Sequence, residues 1–146
     1  MSALSNAAEG ALLDLLFLNT AWANIGDAGG LQPSSAAGNF YIALFTDWTS
    51  GETPTVTEAN YTGYARKAVP RTAGGWTRAN EVISNTAAIT FDICTGGSST
   101  VTHFGIYTAS TGGTLIMSGV LTGGSLAVST NITPEFAAGA LDITAA

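Results

Sequence analysis

The sequence predicts a mainly β fold: an antiparallel β-sandwich of jelly-roll type with one N-terminal α-helix. Three observations predict it. From position 39 onward, short apolar or alternating runs recur at spacings of about eight to twelve residues, the rhythm of a sandwich or barrel. Gly-Gly pairs at Gly74-Gly75, Gly96-Gly97, Gly112-Gly113 and Gly123-Gly124 punctuate them. Glycine supplies the positive φ that tight hairpins need. Helical periodicity occurs only before residue 24, which argues against parallel βαβ units as the main architecture.

Residues 2–18 carry the helical pattern. Leu4, Ala8, Ala11, Leu12, Leu15 and Leu18 recur at steps of three and four, and Leu13, Leu16 and Phe17 widen the stripe. Ser2 or Ser5 can cap its start, and Asn6 with Glu9 forms a second capping pattern. So apolar a helix must cover something, either an open side of the β core or another subunit. Thr20–Asn24 reads as a short second helical turn anchored by Trp22, and Gly, Pro and Ser mark residues 26–35 as a loop. The helical segment is thus 1–24 and the β-sandwich 38–146, within one domain.

In the first strand, Phe40, Ile42, Leu44 and Thr46 share one face and Tyr41, Ala43 and Phe45 the other. Two apolar faces suit a strand lying between two layers. Thr49–Asn60, with Glu52, Pro54 and Glu58, reads as an exposed acidic loop. Strands are then expected at Tyr64–Val69, Gly75–Arg78, Glu81–Ser84, Ala87–Phe91, Val101–Tyr107, Leu115–Val120, Leu126–Val128 and Ala140–Thr144.

Composition limits function. The 146 residues are the size of one domain. Only 10% are charged, with a net charge of −6, while Gly (18), Thr (21) and Ser (12) are abundant. The surface must therefore be built mostly from uncharged groups. The apolar content is too high for a disordered polyelectrolyte, and the cations are too few for general nucleic-acid binding. One cysteine, Cys94, cannot make a disulfide framework and reads as a small hydrophobe in a strand. No apolar run reaches the ~18 residues of a membrane span. The start lacks the cations of a signal peptide, and no Lys or Arg precedes Arg66. Synthesis in a reducing cytoplasm, with no membrane contact, is the expectation.

Signs of catalysis are weak. The lone histidine, His103, lies in an alternating strand with no nucleophile or carboxylate motif beside it. One Cys and one His cannot make a zinc site without several carboxylates, and no calcium-loop pattern occurs. The Gly pairs lack a following Gly-Lys-Ser or Gly-Lys-Thr. Asp47, Glu52, Glu58 and Asp92 could supply the carboxylate pair of a depolymerase, but their spacing brings no two together. No catalytic residue, cofactor or metal is expected. All four cations (Arg66, Lys67, Arg71 and Arg78) fall between positions 66 and 78, whereas the ten acids are distributed along the chain. Such a basic segment either docks on an acidic partner surface or is a solvated hairpin paired with acids such as Glu81.

Several strings together carry a resemblance: Asn39-Phe40-Tyr41-Ile42-Ala43-Leu44-Phe45-Thr46, Tyr61-Thr62-Gly63-Tyr64-Ala65-Arg66-Lys67-Ala68-Val69, Asn85-Thr86-Ala87-Ala88-Ile89-Thr90-Phe91, Val101-Thr102-His103-Phe104-Gly105-Ile106-Tyr107 and Pro134-Glu135-Phe136-Ala137-Ala138-Gly139-Ala140-Leu141. With the helical start, this ordered set resembles small tailed-bacteriophage virion structural proteins of the capsid cement or decoration type, relatives of which are often labelled tail fibre protein. The resemblance implies a non-enzymatic virion component. No long repeat of a fibre shaft is visible. The expectation is a protein on the outer capsid surface that bridges neighbouring copies of the major capsid protein and self-associates as a dimer or trimer, with no direct contact to nucleic acid. Candidate interface residues are Leu4, Leu12, Leu13, Leu16 and Phe17 in the helix, and Arg66, Lys67, Arg71 and Arg78 in the basic segment. The alternative is a tail fibre or tail-tip module binding a host receptor or glycan, in which Trp48, Trp76 and Tyr61 face solvent together to stack on sugar rings.

Overall fold

The structure, a computed structural model, describes residues 3–145. It shows a mainly β chain with antiparallel ladders and one helix. Helix α1 (Asn6–Phe17) precedes strands β1 (Asn39–Trp48), β2 (Val56–Glu58), β3 (Lys67–Pro70), β4 (Trp76–Ala79), β5 (Val82–Asn85) and β6 (Ile89–Thr90). Then come β7 (Ser99–Val101), β8 (His103–Tyr107), β9 (Leu115–Val120), β10 (Leu126–Val128), β11 (Glu135–Phe136) and β12 (Asp142–Thr144). The chain forms two compact units, each assembled from separate stretches. One takes the residues up to Asn39, Pro70–Ile89 and the residues from Phe136 on; the other takes Phe40–Val69 and Thr90–Glu135.

In the first unit, Ser5 begins the helix by accepting the Ala8 N–H at 3.3 Å, and Glu9 sits in the first turn, where the helix dipole favours an acid. The other expected cap, Ser2, lies outside the described residues. The helix stops where Asn19 turns left-handed (φ 51°). Gly10, Leu13 and Phe17 form its buried stripe, against β4 and β5. Phe17 meets Trp76 edge-on, centroids 4.7 Å apart. These strands make the sheet β12-β5-β4, with Trp76 opposite Asn85 and Ile143 opposite Ile83. The β4–β5 turn takes its positive φ from Asn80, not from Gly74-Gly75. No second helical turn forms at Thr20–Asn24. Trp22 instead bridges Leu31, exchanging both backbone hydrogen bonds at 2.9 Å. The reason is Gly30 (φ 63°), which lets the chain double back where any Cβ would lie 1.9 Å from the Trp22 carbonyl oxygen.

In the second unit, β1 is central. It pairs with β2, β3 and β8, and β8 pairs with β9 at the end of the sheet. Ile42 and Leu44 on one face, and Ala43 and Phe45 on the other, are all buried, as the two apolar faces of this strand require. Strand β2 falls inside the stretch expected to be an exposed loop. Alternation explains it: Val56 and Glu58 turn inward while Thr57 is exposed, and Glu58 stands opposite Phe45. Cys94 is buried as expected, yet in the connection between β6 and β7 rather than in a strand. There its thiol donates to the Gly96 carbonyl at 3.3 Å.

Gly105 in β8 lies under the Phe45 ring. A Cβ there would meet Phe45 Cζ at 2.3 Å and Leu115 Cδ1 at 3.0 Å. Phe45 has no exposed surface into which to retreat. Gly105→Ala is therefore expected to destabilise by about 1–3 kcal/mol through overpacking, read as a lowered urea midpoint with unchanged slope.

Candidate functional site

The densest convergence of polar groups surrounds Arg66, just before β3. Its guanidinium forms a two-point pair with Glu58 of β2, Nε to Oε1 at 2.9 Å and Nη2 to Oε2 at 2.8 Å. Nη1 donates to the carbonyls of Ala109 (2.9 Å) and Gly112 (2.7 Å), and the group lies 3.6 Å over the Tyr107 ring. The Tyr64 hydroxyl donates to Glu58 at 2.7 Å and accepts the Leu44 N–H. Burial pushes the Glu58 carboxyl up, but the hydrogen bonds from Arg66 and Tyr64 and the Arg66 charge outweigh it, leaving Glu58 below its usual range. Burial pushes the Tyr64 phenol well up. A depression of about 490 Å³ opens beside the cluster, lined by Glu58, Tyr64, Arg66 and the 110–112 turn. The hydrogen bonds of Arg66 and Tyr64 go to the protein itself. What the cluster does chemically is tie the β8–β9 connection to β2.

The four cations of the basic segment divide between the two units. Arg66 and Lys67 belong to one unit, Arg71 and Arg78 to the other. The Arg66 side chain is 8% exposed. Lys67 pairs with Asp92 at 2.8 Å. Arg78 pairs with Asp14 at 2.6 Å and donates to the Asn80 carbonyl, lying over Gly10. Arg71 caps the end of α1: it donates to the Leu15 carbonyl at 2.9 Å, to the Leu16 carbonyl, and to the Ala37 carbonyl at 3.0 Å. The last helical carbonyls lack intrahelical donors, and α1 has no cation in its last turn, so a guanidinium from elsewhere in the chain answers both needs.

The helix candidates separate by burial. Leu13 and Phe17 have no exposed surface and act as core of their unit. Leu12 and Leu16 are half-buried, and Leu4, ahead of the helix, is 46% exposed. The proposed aromatic platform does not exist. Trp76 and Tyr61 are buried: Trp76 packs on Phe17, and the Tyr61 hydroxyl donates to the Asp92 carbonyl. Trp48 is half-exposed, but it stacks on His103 at 4.8 Å and donates its indole N–H to Ser118. Among the carboxylates weighed for catalysis, Glu58 and Asp92 are held in the pairs above. Among the described residues, no group of three or more His, Cys, Asp or Glu side chains could hold a metal ion, and no helix is long and apolar enough to cross a membrane.

One stretch of the second unit, between the exposed acids Asp92 and Glu135, offers its surroundings only uncharged groups. Ile93, Ile116, Val120, Leu126 and Ile132 are exposed there. From Ile93 to Pro134 the sequence holds no Asp, Glu, Lys or Arg. Reading the acids as distributed along the chain misses this gap, which is visible in the sequence and gains meaning only from the strand edge it covers.

Arg66 and Arg71 serve the protein's own fold, while Ile93, Ile116, Val120, Leu126 and Ile132 stay exposed. The chain belongs to the family described as podophage GP4 fiber I protein gp80, whose model matches residues 3–144. It is a bacteriophage virion structural protein. No curated protein matches it.

Proposed function

We propose that this chain is a structural subunit of the virion's fibre, holding its place through contacts with its own copies, as a dimer or trimer, and with neighbouring virion proteins. The observation that carries the reading is the family match over nearly the whole chain. The uncharged exposed side chains of the second unit agree with it, since protein contacts favour patches poor in charge.

A second reading places the protein on the outer capsid surface, as a decoration protein bridging copies of the major capsid protein. The absence of a shaft-like repeat in the sequence favours it. In that role Leu4, ahead of the helix, and Leu12 and Leu16 within it are the candidates with surface to offer.

Gold-labelled antibody on intact virions decides between them. Label on a fibre, with a copy number of roughly a few dozen or fewer, supports the first reading. Label over the head, hundreds of copies, and heat-sensitive particles once the protein is stripped support the second. A particle without the protein ends both.

A further inference from the structure

We infer that the outer edge of β9 pairs with the same edge of a second copy of this chain, extending the sheet across a two-fold axis.

The register leaves this edge open. Phe104 faces Gly119 and Ile106 faces Met117, and the Leu121 N–H donates to the Thr102 carbonyl at 3.0 Å. Alternation along an antiparallel ladder then turns the backbone groups of Ser118 and Val120 away from β8. Strand β9 ends the sheet order β2-β1-β8-β9, and none of its six residues is fully buried. Val120 is 62% exposed and Ile116 37%.

Edges like this are normally guarded by lysine, proline or an inward charge, because open N–H and C=O rows recruit other strands. Leu115–Val120 has none of these. Its one irregularity, the register shift opposite Tyr107, lies at the start of the strand, away from Ser118 and Val120.

Charge identifies the occupant. The chain carries −6, so two copies repel wherever acids face each other. The span from Ile93 to Pro134 carries no charge, so copies can meet there without that cost. A strongly charged partner gains nothing at this edge. A second copy gains full complementarity, because an antiparallel edge matches itself about a two-fold axis. Ser118 of one copy then pairs with Val120 of the other, and the reverse, with Gly119 at the axis.

This inference rests on the self-association in the reading above, and sedimentation of the full chain across concentrations separates the two. The wild type should form a concentration-dependent oligomer in which the Ser118 and Val120 amides exchange slowly with solvent. Val120→Lys and Val120→Glu should each weaken association at least tenfold and expose those amides, while the Ile106 amide stays protected as a check on folding. Ile132→Lys, exposed but outside the edge, should leave association intact. An oligomer that survives both Val120 substitutions overturns the inference and leaves self-association standing. A wild type that stays monomeric at every concentration overturns both, and an edge protected only by a different virion protein overturns the inference alone.

Discussion

Replacing Arg66 with methionine should destabilise the protein by about 3–5 kcal/mol, the usual consequence of removing one partner from a buried ion pair. Methionine roughly fills the space of the stem. It cannot replace the pair with Glu58, the bonds to the Ala109 and Gly112 carbonyls or the contact over Tyr107. Glu58 is left partly buried with the Tyr64 hydroxyl as its remaining side-chain donor. Urea unfolding at pH 7 reads the loss. The pH dependence identifies the cause. In the wild type the Glu58 carboxyl titrates below its unfolded value, so its contribution is present above about pH 4.3 and is lost as the pH falls through the folded value. In the variant the same carboxyl is penalised by burial and gains by taking up a proton. The stability gap between the two proteins should therefore be widest near neutrality and narrow in acid. A gap that is constant with pH would mean that the carbonyl bonds and ring contact, not the ion pair, carry the effect. Glu58→Leu combined with Arg66→Met should lose less than Arg66→Met alone, since no unpaired charge remains.

The strands that could be read in advance are those whose own side chains announce their environment. Leu115–Val120 and Leu126–Val128 occur where expected, and β1 shows the two buried faces that Phe40–Thr46 implied. Strand β2 was hidden because its pattern is short and ends in Glu58, a residue that reads as solvent-exposed until its partner eight positions on is known. Trp22 departs from the helical expectation for a related reason. Ala21, Trp22 and Ala23 have no objection to a helix, and the deciding contact is with Leu31, across a turn that only Gly30 permits. Among the interface candidates, the helical stripe correctly marks residues needing cover, but periodicity cannot say what provides it. For Leu13 and Phe17 the cover comes from the chain itself, as their unit's own core. The clustering of the cations is likewise real in sequence. Asp92, Asp14 and the end of α1 are distant in sequence from their cations, and Glu58 lies across a turn from Arg66, so the internal roles appear only in three dimensions.

Asn85→Leu should cost about 3 kcal/mol, because three backbone groups would lose the one side chain that satisfies them. Asn85 is buried at the end of β5. Its amide nitrogen donates to the carbonyls of Ala87 and Ala137, both at 2.8 Å, and its carbonyl oxygen accepts the Leu141 N–H at 2.9 Å. The Gly139 N–H adds a bond to the backbone carbonyl of Asn85. The segment leading into β12 is thus held by a polar group in an otherwise apolar core. Leucine matches the size and offers no hydrogen bond. Hydrogen exchange at the Leu141 amide should accelerate along with the fall in unfolding midpoint. Asn85→Asp separates hydrogen bonding from packing. The carboxylate keeps the bond from Leu141 but faces the two carbonyls with lone pairs where the amide had donors. Its folded pKa must therefore rise above the unfolded value near 3.9. A raised carboxyl pKa costs stability as the pH climbs above the unfolded value and costs least in acid, where the protonated group again has a donor. The variant should accordingly lie closest to the wild type below about pH 4 and fall away towards neutrality. Equal loss at both pH values would show that Asn85 acts through packing, and that the two carbonyls find other donors when it is removed.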